Sequence, residues 1–339
     1  MFWIRRTQVI NLTVVGFLRC FGLVLLSMLP FGCIEEVEIP IAKGQELLVV
    51  DGRITNECGP HVIHITRSAR YGDVFTGTIR AEQRAQVIIR DSRGGRTALA
   101  ETIPGYYETP ADFQGVVGET YILQITTRSG KTYASLPETI LPPVPMDSLI
   151  ARFVTSPSDN PLVNQSGIEL YASFEDPLDE RNLYLWEVNG IYERQSCFIE
   201  DKPNASFLLA NDADFGSPTQ ISKVAYIGDD GKRFTKIYYA EVAQYAVSPE
   251  AFTHFDLLSQ ITSIDGDLFD APPAGLNSNI INLDDPNEPT IGYFGAFGVS
   301  HRSIFLRRSF LEEPQPVITF IGGCANLRNT TGRPAFWID

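Results

Sequence analysis

TYILQITTRSGKTYAS (residues 120–135) carries two β-rich runs on either side of a Ser-Gly pair. Successive side chains of an extended strand point to opposite sides, so Tyr121, Leu123 and Ile125 share one face. Ser129-Gly130 falls between the runs, where a tight hairpin turn needs positive φ. The stretch therefore reads as a β-hairpin with an apolar side to bury.

The same punctuation extends both ways. LLVVDGRIT (47–55), HVIHITRS (61–68), AQVIIRD (85–91) and GYYETP (105–110) are further short β-rich runs, and Gly94-Gly95 is a second turn signal. In HVIHIT, Ile63 and Ile65 share a face opposite Val62 and His64. Six or seven strands in about a hundred residues predict a small immunoglobulin-like or transthyretin-like sandwich. LPPVPMDS (141–148) then reads as a semi-rigid connection, because its prolines favour extended chain and forbid a helix.

Beyond it the chain stays β-rich: ELYASFED (169–176), NLYLWEVN (182–189), KVAYIGDD (223–230), KRFTKIYYAEV (232–242), TIGYFGAFGVS (290–300) and SIFLRR (303–308). Asp230-Gly231 is a turn signal. One helix is expected near 249–263. Ser248 suits the N-cap and Pro249 the first helical position, while Phe252, Phe255, Leu258 and Ile261 repeat at three-residue spacing. The fold class is mainly β: an N-terminal sandwich followed by a second β-rich domain with one prominent helix.

The N-terminus has a different character. Residues 1–32 hold three arginines (Arg5, Arg6, Arg19) and no acid, and CFGLVLLSML (20–29) is apolar. That run is short of the ~20 residues a membrane-spanning helix needs and has the length of a secretory signal core. Extending it back to Val14 would cross Arg19. Gly32-Cys33 resembles the cut site of a bacterial lipobox, in which the cysteine becomes the lipidated first residue. Pro30 and Phe31 depart from the usual pattern, with Leu29 one place further back. The alternative is ordinary cleavage that leaves a soluble periplasmic protein. Glu35, Glu36 and Glu38 follow at once. They resemble the acidic signal that exports lipoproteins to the outer face of the outer membrane in Bacteroidota; a solvated tether is the plainer reading. More than one acyl chain on Cys33 would satisfy the requirement for stable anchoring.

The organisation expected is a leader over 1–32, an acidic tether over 33–45, a sandwich over 46–140, a linker over 141–148 and a β-rich C-terminal domain over 149–339. Net charge is −14 for the chain and becomes −17 once the three leader arginines are removed. Such a body lacks the basic surface by which nucleic acid or anionic lipid is bound, so neither is an expected partner. Besides Cys33, the mature chain has Cys58, Cys197 and Cys324. An odd number leaves one thiol free, and a Cys197–Cys324 bridge is one pairing open to an exported protein.

Taken together, the lipid-type cysteine, LVVDGRIT, AQVIIRDSRGG, GETYILQITTRSGKTYAS, VPMDSL, VSPEAFTHFDLLSQ, GDLFDAPPAGLNSNIIN, IGYFGAFGVSHRSI and the closing PAFW (334–337) resemble a family of Bacteroidota surface lipoproteins, domain of unknown function 4249. Its members are commonly encoded beside TonB-dependent outer-membrane receptors. The resemblance implies an accessory lipoprotein that works with such a receptor, and it carries no established binding or catalytic residue onto this chain. The N-terminal part also resembles carboxypeptidase-regulatory and transthyretin-like modules.

Chemistry-bearing motifs are sparse. His61 and His64 are the only close histidine pair, and strand positions three apart face opposite ways, so no zinc site is expected there. G-x-S-x-G and the phosphate-binding glycine loops are missing, and His254 and His301 have no local partner as catalytic bases. Asp265, Asp267 and Asp270 alternate as calcium ligands would, yet without EF-hand spacing. Asp284-Asp285 suits a turn. A carboxylate pair for glycoside hydrolysis would need only to meet in space, and nothing local nominates one. Asp147-Ser148-Leu149 matches a short pattern glycosylated in exported Bacteroidota proteins, and a turn before a strand is the plain alternative. The aromatic runs YIGDDGKRFTKIYYAEV (226–242) and IGYFGAFGV (291–299) suit a sugar or peptide platform or an interface anchor, or else half of each set packs inward. Phe294 and Phe297 read as core, and Tyr239 as the candidate ligand contact. No metal or cofactor is implied. The expectation is a non-enzymatic, outer-membrane accessory lipoprotein of a TonB-dependent receptor in nutrient uptake, with a surface adhesin or envelope-assembly lipoprotein as the alternative.

Overall fold

The computed structural model describes residues 46–68, 80–157, 164–177, 181–203, 207–211, 218–262, 278–312, 314–319 and 322–338. The first strands are Leu48–Thr55 (β1), Val62–Arg67 (β2), Arg80–Ala81 (β3), Gln86–Asp91 (β4) and Arg96–Ala98 (β5). Ala100–Ile103 (β6), Tyr106–Glu108 (β7), Thr120–Thr126 (β8), Thr132–Ser135 (β9) and Glu138–Thr139 (β10) follow. Next come the long strands Met146–Pro157 (β11), Asn164–Glu175 (β12) and Leu183–Arg194 (β13), then Cys197–Asp201 (β14) and Leu208–Asn211 (β15). Thr219–Gly228 (β16) and Ile237–Ala246 (β17) precede the helix Pro249–Thr262 (α1), and Ile280–Asn282 (β18), Ile291–Arg307 (β19) and Thr330–Thr331 (β20) close the chain. The protein is mainly β, as its sequence pattern predicts.

Three sheets form. The largest runs β20-β14-β13-β17-β19-β1-β2-β7-β6, with β15 on β13 and β3 on β2; the second runs β18-β9-β8-β4-β5, with β10 on β8; the third is β11-β12-β16. Alternation builds the first core. Tyr121, Leu123 and Ile125 of β8 meet Ile63 and Ile65 of β2 and Leu48 and Val50 of β1 in one buried cluster. The second core packs the three-stranded sheet onto β13, β17 and β19: Ile168, Leu170, Ala172 and Phe174 of β12 cluster with Trp186, Tyr238 and Val242.

The two segments expected as separate domains share sheets. β19 pairs in parallel with β1 through Ile291–Phe297 and antiparallel with β17 through Gly298–Arg307. β18 adds to β9. Gly44–Asp339 is accordingly one compact unit. TIGYFGAFGVS and SIFLRR, read as two strands, are one strand of 17 residues; His301-Arg302 between them has none of the conformational punctuation of a turn.

LPPVPMDS is likewise fastened down. Val144 and Met146 are buried in the second core. The Val144 carbonyl accepts from Gln244 Nε2 at 2.8 Å and Ser300 Oγ at 2.8 Å, and the Met146 carbonyl from Arg302 Nε at 2.8 Å. A further tie is Arg53 of β1, whose guanidinium meets Glu187 of β13 at 2.5 Å and lies over the Tyr245 ring.

The helix begins where its capping signal stands: Ser248 Oγ accepts from the Ala251 N–H at 3.1 Å. Phe252 and Phe255 pack with Tyr293 and Phe297 beneath it. No helix among the described residues is long and apolar enough to cross a membrane.

Candidate functional site

Cys33, Glu35, Glu36 and Glu38 lie outside the described residues, as do Asp265, Asp267 and Asp270. Cys197 and Cys324 are joined in a disulfide, Cα–Cα 5.5 Å, and Cys58 is an exposed free thiol. Among the described residues no three His, Cys, Asp or Glu side chains gather as a metal site. His64 stacks on Tyr106, with ring centroids 4.0 Å apart. His61 Nε2 lies 3.1 Å from the Glu57 carbonyl and His301 Nε2 lies 3.1 Å from Glu57 Oε2. His254 is buried beside Tyr293. Asp284 and Asp285 do form a turn, their N–H groups donating to Asn282 Oδ1.

Tyr239, expected as an exposed contact, is only 9% exposed. Tyr238 and Tyr239 do face opposite sides of β17, but both sides are covered. Tyr238 enters the second core, while Tyr239 lies between Phe305 at 5.1 Å and Phe336 at 4.4 Å, under a tail that also buries Trp337. A contribution from residues 336–337, a hundred positions along the chain, is invisible in local alternation. Phe294 and Phe297 are core residues.

The open surface is elsewhere, on the outer face of the β11-β12-β16 sheet. With the even-numbered residues of β12 turned inward, Glu169, Tyr171 and Ser173 face out. Register then sets two rows across the sheet: Ile150, Tyr171 and Lys223 in one, Arg152, Glu169 and Tyr226 in the next. A bulge opposite Leu170/Tyr171 buries both Val224 and Ala225, which keeps Lys223 and Tyr226 on the same outer side.

Tyr226 lies over the paired glycines Gly167 and Gly228; a Cβ on Gly167 would come within 2.6 Å of the ring. The ring therefore rests along the backbone and turns a flank outward. Beside it, the Arg152 guanidinium stacks over Tyr171 at 4.6 Å, and Lys223 Nζ stands 6.0 Å from the Tyr226 centroid. Glu169 accepts from the Tyr171 hydroxyl at 2.8 Å and pairs with Lys223. These donations hold its carboxyl below the ordinary carboxylate range.

Two other polar constellations are structural. A depression of about 670 Å³ is lined by Asn189, Glu200, Asp201, Lys202 and Asn329. Its Asp201 already accepts from Arg233 Nε at 2.8 Å, Arg233 Nη2 at 3.2 Å and the Tyr238 hydroxyl at 2.8 Å. Glu138, 4% exposed, accepts from the Tyr293 hydroxyl and from Ser248 Oγ at 3.1 Å, and burial pushes its carboxyl up. That carboxyl ties the β10 strand to the start of the helix.

The family model described as a domain of unknown function, DUF4249, matches residues 34–303. The chain belongs to that family. The matched span takes in β1 to most of β19, and with them every residue of the outer sheet face. No curated protein matches the chain.

Proposed function

We propose that this chain is an outer-membrane, surface-exposed lipoprotein, anchored through Cys33, that serves as a non-enzymatic accessory subunit of a TonB-dependent receptor in nutrient capture. The observation that carries this reading is the sequence around Cys33. A basic, apolar leader ends at Gly32, three glutamates follow the cysteine, the family match begins at residue 34, and the compact unit begins at Gly44. Ten residues of chain reach at most about 35 Å when fully extended. A body on such a tether stays beside any barrel in the same membrane, at a high effective concentration. The mainly β unit supplies rigid sheet surfaces for binding, and the reading assigns it binding without turnover.

The test is a pull-down from native outer membranes with the lipidated protein carrying a C-terminal tag. A TonB-dependent barrel recovered in near-equal amount is the expected result. Recovery of the lipoprotein alone, in a detergent that preserves a control receptor complex, would overturn the reading and favour an adhesin or assembly role. Replacing Cys33 with alanine is expected to release a folded protein and impair uptake; normal uptake by that variant would sink the tethered mechanism.

A further inference from the structure

We propose that the outer face of the β11-β12-β16 sheet is a carbohydrate-binding platform for neutral pyranose oligosaccharides, with Tyr226 as the stacking ring and Arg152, Glu169 and Lys223 as the hydrogen-bonding groups. The assignment deepens the nutrient-capture reading and rests on it for its biological setting; the binding itself requires no receptor.

The argument starts from the glycines. An aromatic side chain on an open sheet commonly stands off the surface, and Tyr226 instead lies along it because Gly167 and Gly228 have no Cβ to hold it away. Gly167 is buried beneath the ring while Tyr226 itself stays half-exposed. The result is a half-exposed ring lying along the sheet, with Lys223 Nζ 6.0 Å from its centroid as a mobile neighbour that a ligand must share or displace. A pyranose presents the complement: an apolar face of C–H bonds with slight positive character, rimmed by hydroxyls.

The neighbours match that rim. A hydroxyl both donates and accepts, so it is best met by a mixed set. Arg152 and Lys223 only donate, ionised Glu169 only accepts, and the Tyr171 and Tyr226 hydroxyls do either. Arg152, Glu169 and Tyr226 occupy one row on three adjacent strands. Strands lie about 4.8 Å apart, so the row offers polar groups over about 10 Å, enough to engage more than one sugar ring.

Charge selects among sugars. Glu169 is paired with Lys223, and Arg152 is stacked on Tyr171, so the face presents no free cluster of one sign. The body as a whole carries −17 after the leader, which repels polyuronates and sulfated chains. A neutral glycan pays neither penalty. An extended peptide would instead seek an open sheet edge, where main-chain groups are unpaired.

The test uses the full-length protein in detergent, run by affinity electrophoresis through gels containing mixed-linkage β-glucan, galactomannan, starch or, as the acidic control, polygalacturonate. Retardation by at least one neutral polysaccharide is expected, followed by titration with its tetrasaccharide. Y226A is expected to weaken binding at least tenfold, and Y226F, which keeps the ring, to stay within about threefold of wild type. E169Q, isosteric at a partly exposed position on the outer face, serves as a second variant with an expected loss of at least threefold, whether or not Y226A folds. No retardation by any neutral polysaccharide, retardation by polygalacturonate alone, or unchanged binding in a folded Y226A would each overturn the platform. Because the pull-down reads the receptor and the gel reads the glycan, either reading can fail without the other.

Discussion

Replacing Cys197 and Cys324 together by alanine removes a cross-link that spans 127 positions of sequence. In the chain-entropy description the bridge stabilises the fold by restricting the unfolded chain, and a closed loop of 127 residues corresponds to about 5 kcal/mol at room temperature. That is comparable with the whole stability of many domains, about 5–15 kcal/mol. A second, local contribution comes from the tail that the bridge secures. Trp337, buried against Phe198 at 5.0 Å and Phe305 at 5.9 Å, covers the Tyr239 cluster with Phe336. The assay is urea unfolding of the wild type and the double variant, followed by far-ultraviolet circular dichroism and tyrosine fluorescence. The expected outcome is a loss of several kcal/mol, with a steeper denaturant dependence because the unfolded chain, freed of its loop, exposes more surface. Alkylation and peptide mapping without reductant should recover the 197–324 pair and leave Cys58 as the labelled thiol. A loss below about 1 kcal/mol would refute the loop-entropy reasoning, and a labelled Cys197 in the oxidised wild type would refute the pairing itself.

Two further outcomes follow from the joints between sheets. Burial raises the Glu138 carboxyl above its ordinary 4.5, so its stabilising contribution is fully present below that value and is lost as pH rises through the folded value. E138Q, which stays neutral, should flatten the dependence of melting temperature on pH from 4.5 upward; an unchanged slope would show that Glu138 does not set it. Gly292, at φ +98° in β19, has the Val50 backbone where a side chain would go, whereas Gly94, at φ +89°, has open space. G94A should cost about 1–2 kcal/mol from backbone strain alone, and G292A clearly more, because β1 and β19 must separate; equal urea midpoints for the two would count against the parallel joint.

Local signals were legible where the physics is local. The alternation in TYILQITT, the Ser248-Pro249 helix start and the Asp284-Asp285 turn each depend on residues within a few positions of one another. The leader and anchor proposed around Cys33 rest on the same kind of signal, a linear arrangement of charge, apolar length and a small residue. What escaped sequence reading depends on partners far along the chain. Tyr239 looks exposed until Phe336 is laid on it. The proline-rich stretch reads as a semi-rigid connection between domains until Gln244, Ser300 and Arg302 bond its carbonyls. Tyr226 and Tyr238 stand in one aromatic run, and each ring lies over a glycine of the neighbouring strand, Gly167 and Gly190. The deciding fact is coverage, since Tyr238 is enclosed in the second core while Tyr226 stays half-exposed.

By itself, the sequence determined the strand-forming alternation, the helix and its cap, and the charged and apolar segments around Cys33, because backbone geometry and side-chain period act over a few residues. Only the tertiary structure decided that β1 pairs with β19, that residues 44–339 form one compact unit, and which tyrosines are covered and which lie open. Strand partnership and face burial are set by minimising exposed apolar area and unpaired backbone over the whole chain, and that global balance leaves no mark within any single run of residues.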